Sequence, residues 1–229
     1  MSAAGPAVDK TAIRDAATIL LVRDAAEGPQ VLMGQRGARA AFMPDKFVFP
    51  GGAVDAEDAQ VPLGTRVSPL CAARLEADGD LRAPTLAAAA IRELWEETGL
   101  MLGTPGVWPG TPPADWAAFA ARGMLPAADA LTYVFRAITP PGRPRRFDAR
   151  FFLAEAARVQ GDPDDFSAAC EELSHLQWVP FARARRLNLP FITEVVLAEA
   201  EEALRRGGKP DSVPFFDNSG TRSEFRRIP

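Results

Sequence analysis

The chain has 229 residues, 47% apolar and 24% charged, with a formal net charge of −4 and a pI near 5.2. That is the composition of one soluble globular domain, and it lacks the basic footprint of a nucleic-acid binder. No 18-residue apolar run and no secretory signal around Lys10 and Arg14 are legible, so no membrane partner and a cytoplasmic home are expected.

In chain order, residues 1–15 read as a flexible leader, and β-rich runs follow at 17–23, 30–35 and 47–49. The third run is stopped by Pro50 and followed by Gly51 and Gly52, a pair that permits positive φ and close backbone approach to a ligand. Residues 59–84 mix Pro and Gly with one helical pattern at 68–76. Thr85 then offers an N-cap for a helix to Thr98, closed by Gly99 as a left-handed cap. Residues 104–126, with Trp108, Trp116 and a helical pattern at 113–121, read as substrate-shaping loops. Further strands are expected at 131–138, 151–154 and 176–179, helices at 181–186 and 193–206, and an irregular tail from 207 to 229. Cys71 and Cys170 lack metal-like spacing and read as free thiols.

The chemistry concentrates in the stretch from Arg92 to Leu100. At 100° per residue Glu93, Glu96 and Glu97 project together, while Ala87, Ile91, Leu94 and Thr98 face inward. Like charges at these spacings cost roughly 0.2–0.5 kcal/mol each, and the C-terminal end of a helix dipole disfavours anions further. A divalent cation reverses that balance, and all-oxygen ligation selects Mg²⁺ or Mn²⁺. The competing reading is a solvated helix end.

Strand, glycine pair and acidic helix together resemble the Nudix box, whose second half is matched at every position from Arg92 to Leu100. The slot of the first motif glutamate falls on Asp58, with Glu57 as the alternative. Between Asp58 and Arg92 lie 33 residues where the standard box has seven, so the box is split by an insertion at about 59–84. A split box beginning Phe-Pro-Gly-Gly resembles the acyl-coenzyme A diphosphatase branch. Arg36 matches the first arginine of that branch's coenzyme A signature, while Ala41 and Asp45 depart from it.

The resemblance implies an α/β fold, an α/β/α sandwich with a mixed sheet between helices, spanning 16–206. It implies a homodimer and metal-dependent cleavage of a nucleoside diphosphate derivative, with coenzyme A or acyl-coenzyme A leading. NADH, ADP-ribose and dinucleoside polyphosphates stand as alternatives, as does a non-catalytic nucleotide sensor. Carried over, Glu93, Glu96 and Glu97 are the metal ligands, with Asp58 as a fourth, and Arg92 orients a carboxylate. Glu172, six residues before Trp178, resembles the late general base, with Glu171 next; the lone His175 is not expected to act. Arg36, Gly51 and Gly52 are candidates for substrate contact, as are Arg145 and Arg146 beside Arg143.

Overall fold

The residues from Ile19 to Val22 are all buried, and in a strand they must alternate between the two faces of a sheet. Ala17, Ile19 and Leu21 join one apolar cluster, and Leu20 and Val22 join the other. A strand buried on both sides needs cover on both sides, which makes a layered α/β arrangement the outcome.

The computed structural model describes residues 12–37, 43–77 and 79–229. Their elements in chain order are β1 (Ile13–Arg23), β2 (Gln30–Arg36), β3 (Phe47–Val48), β4 (Gly51–Ala53), α1 (Pro69–Glu76) and α2 (Ala83–Thr98). Then come β5 (Gly103–Pro105), α3 (Ala117–Ala120), β6 (Met124–Pro126), β7 (Thr132–Ile138), β8 (Arg146–Glu155) and β9 (Leu173–Pro180). The chain closes with α4 (Phe181–Ala184), α5 (Phe191–Arg205), β10 (Val213–Asp217) and β11 (Glu224–Ile228). The main sheet runs β11-β10-β7-β8-β1-β2-β3, with β4 beside the first half of β1 and β9 beside β2. β1 lies parallel to β8 and β7 parallel to β10, while the other pairs are antiparallel, so the sheet is mixed as expected. α1 and α2 cover one face; α4 and α5 cover the other.

α2 is buried nearly all round, and its alanines from 87 to 90 let the helix axis close onto β1. It begins two residues before the expected cap. Pro84 sits in its first turn, where a missing N–H costs nothing, and the Glu76 carboxylate accepts from the Ala83 amide. Gly99 closes it at φ 74°.

Four expectations are corrected. The tail is not irregular, because Phe215 is buried and β10 pairs in parallel with β7. Arg74 of the insertion helix holds that tail, donating to the carbonyls of Pro210, Asp211 and Pro229. Trp108 and Trp116 build core rather than a loop rim: their rings lie 5.7 Å apart, and Trp116 stacks edge-on against Phe119. The helix expected at 113–121 splits into a 3-10 turn and the four-residue α3. Of the leader, Ile13 to Asp15 already lie in β1, and residues 1–11 fall outside the described residues.

Candidate active site

Arg92 is the hub of the acidic cluster. Its Nε and Nη2 fork onto the two Asp58 oxygens at 3.0 Å each, and Nη2 also donates to the Ala53 carbonyl at 2.9 Å. Its Nη1 reaches Glu93 at 2.9 Å and Glu96 at 3.1 Å. A planar guanidinium can hold such a set because its donors point outward in a fixed fork. Asp58 is thereby committed: besides the Arg92 fork, it accepts from the Asp55 amide at 2.8 Å. Asp58, expected as a fourth ligand, thus holds Arg92 with both of its oxygens. Glu57 is exposed beside it.

β4 supplies the wall opposite. The Gly51 amide donates to Glu97 at 2.7 Å, leaving Glu97 Oε1 buried without a hydrogen-bond partner. A Cβ on Gly52 would come within 2.5 Å of the Glu93 carboxylate, and one on Gly51 within 2.5 Å of the Thr18 hydroxyl. Neither glycine takes the positive φ it permits. Both are strand residues: the missing side chain of Gly52 lets α2 bring Glu93 against the sheet, and that of Gly51 makes room for Thr18 of β1.

The charges here are unequal. Burial pushes the Glu93 carboxyl up to about 7, with Arg92 pulling down and Glu96 adding to the rise. Glu97 is raised well above the usual carboxylate range, first by burial and then by Glu93, against the Gly51 hydrogen bond. Glu96 is also raised, again chiefly by burial. Burial opposes the charge on Arg92, but Asp58, Glu93 and Glu96 together hold its pKa above the ordinary value.

A late loop meets this cluster. Its near end is tied by Asp164 to Arg23 at 2.8 and 2.9 Å and by the Pro163 carbonyl to the Trp178 indole. Its far end is tied by the Cys170 amide to the Glu96 carbonyl at 3.0 Å, and Ala168 packs on Gly99. Glu172 then pairs with Arg36 at 2.8 Å, and both charges are felt at Glu97. The aim comes from a β-bulge: Met33 faces Gln177 and Gln35 faces Ser174, so His175 and Leu176 oppose Gly34 alone. His175 is exposed at φ 52°, and its contribution is this bend.

The other expected arginines lie elsewhere. Arg143 and Arg145 are exposed, and Arg146 donates to the carbonyls of Thr139 and Asn218. Arg146 pairs with Ile13 and Gly52 with Ala17, which places them about 13 Å apart along β1. Cavities of about 410 Å³ beside Val61 and Pro84 and about 280 Å³ between α5 and β10 also lie away from the acids.

Comparison with known proteins agrees with this geometry. Residues 12–199 match the NUDIX domain family. The chain belongs to the Nudix family. It is 32% identical over 198 residues to the acyl-coenzyme A diphosphatase NUDT19 of Gallus gallus, covering 71% of this chain and 46% of that protein. It is 30% identical over 178 residues to nudix hydrolase 7 of Caenorhabditis elegans, covering 72% and 51%. The chain thus spans about half the length of these relatives. Among solved structures, a NUDIX hydrolase from Alicyclobacillus acidocaldarius superposes with a TM-score of 0.63 at 30% identity, over 85% of this chain and 96% of the other.

The Nudix acids fit a hard divalent cation in donor type and in charge. Each glutamate keeps one oxygen outside the contacts with Arg92 and Gly51, and the buried Glu97 Oε1 lacks any partner. Among the described residues, no three acidic, histidine or cysteine side chains already converge as a closed ligand shell. Two features escaped the sequence reading: the Ala53 carbonyl, which no side-chain pattern reports, and Asp115, whose charge acts on Glu96 from a helical pattern about 20 residues further along the chain.

Proposed function

We propose that this Nudix protein hydrolyses the diphosphate bond of nucleoside diphosphate-linked compounds with Mg²⁺ or Mn²⁺ bound by Glu93, Glu96 and Glu97. The observation that carries this reading is the buried, undercompensated acid set: three glutamates raised by burial and one arginine among them. When bound, the cation neutralises the diphosphate oxygens, so that a water can approach phosphorus. Arg92 and Asp58 keep the glutamates in place, and the Gly51 amide orients Glu97. Glu172 accepts the proton the attacking water gives up while the bond from phosphorus to the bridging oxygen breaks. The partner is a small nucleoside diphosphate derivative.

Coenzyme A or acyl-coenzyme A is the leading substrate, supported by the similarity to a protein named acyl-coenzyme A diphosphatase. The test is mass spectrometry of products from coenzyme A, acyl-coenzyme A, NADH, ADP-ribose and a dinucleoside tetraphosphate, with a Glu97→Gln control. Release of 3′,5′-ADP and a phosphopantetheine product by the unmodified protein alone supports both parts. Cleavage of another compound moves the substrate, and no metal-dependent turnover moves the reading to a nucleotide sensor.

A further inference from the structure

Arg36 was read from sequence as a substrate contact, yet its guanidinium is already engaged within the protein. Its side chain is mostly covered, and Nη2 is spent on Glu172 at 2.8 Å. Its backbone is locked on both sides, the amide donating to the Lys46 carbonyl and its own carbonyl accepting from the Asp45 amide. It ends β2 opposite Leu173, the neighbour of Glu172. Its Nε is buried with no hydrogen-bond partner, and Glu97 Oε1 is a buried acceptor with none. Buried polar groups without a partner are rare in folded proteins and call for an explanation.

We propose that Arg36 is a positioning residue for the late loop, its Nη2 holding the Glu172 carboxylate where the Cys170 amide ties that loop to the motif helix. The inference rests on the hydrolase reading above. It assigns the arginine to the base instead of to the substrate. The loop's other ties, at Asp164, Pro163 and Cys170, fix its course, and the Glu172 carboxylate is held by Arg36.

The experiment is a double-mutant cycle of Arg36→Met and Glu172→Gln on the substrate the panel identifies, with hydrogen exchange of residues 168–172 measured in parallel. A positioning role predicts that each single change lowers kcat about 100-fold with KM held within about threefold. The double variant is then no slower than the worse single one, because both remove the same arrangement. Loop amides exchange about tenfold faster in Arg36→Met and no faster again in the double variant. An Arg36→Met protein with raised KM and intact kcat, or losses that multiply, overturns the proposal in favour of direct substrate binding. If the unmodified protein cleaves nothing in the panel, the hydrolase reading fails. The linkage is then judged on exchange alone, where unchanged protection in Arg36→Met refutes it.

Discussion

Two parts of this molecule bury clusters of charge, and they do so in opposite ways. Beneath the insertion, Arg136 forks onto Asp148 at 2.9 and 2.7 Å, and Arg150 reaches both Asp148 and Asp15. Two arginines meet two carboxylates there. At the C-terminal end of α2, Asp58, Glu93 and Glu96 share Arg92, and Glu97 has only an amide. A matched cluster fixes the fold around it, whereas an unmatched one holds a standing attraction for a cation. The difference separates architecture from function in a chain where burial alone does not.

The comparison breaks most visibly in the matched cluster. Asp148→Asn leaves two buried arginines short of a charge, and unfolding in urea should show a loss of about 3–5 kcal/mol. Glu97→Gln should do the reverse. It removes a buried, partly unsatisfied anion, so the metal-free protein melts a few degrees higher, while hydrolysis falls at least about 100-fold, equivalent to about 2.7 kcal/mol. A variant that loses both stability and activity would place Glu97 with the structural ions.

The pH dependence of the metal-free protein sharpens the contrast further. The folded pKa of Glu93 is raised to about 7 from an ordinary 4.5, so the folded state holds the proton more tightly. Its contribution to stability is full below about 4.5 and is lost as pH rises through 7. In chelator, the melting temperature should therefore fall across that window. Saturating Mg²⁺ should flatten the slope, and an unchanged slope would break the link between these acids and metal.

The smallest effect concerns thiols. Cys71, packed under β7, is pushed up to about 11 by burial, whereas Cys170 is exposed beside the acids. Maleimide at neutral pH should label Cys170 and spare Cys71 in the native protein. Equal labelling would mean that the insertion opens readily.

What was legible in the sequence follows from range. The α2 acids, Gly99 and the central strands repeat within a turn or a pleat, so periodicity exposes them. β4 does not, since Gly-Gly-Ala has no strand propensity and pairs with β1 from 35 residues away. The tail strands escaped for the same reason: β10 pairs with a strand about 80 residues earlier and carries Pro214 in its run. Arg92 was visible as an orienting residue, but its main partner Asp58 sits across the whole insertion. The basic turn at 143–146 misled because clustering in sequence says nothing about which end of a strand it occupies.

Calorimetric titration of the metal-free protein with Mn²⁺ tests the central claim most directly, comparing the unmodified chain with Glu97→Gln and with Glu57→Gln. The account predicts binding by the unmodified chain, at least about tenfold weaker binding by Glu97→Gln, and no change in Glu57→Gln. Equal affinity in the unmodified and Glu97→Gln proteins would contradict it, and so would the absence of any binding.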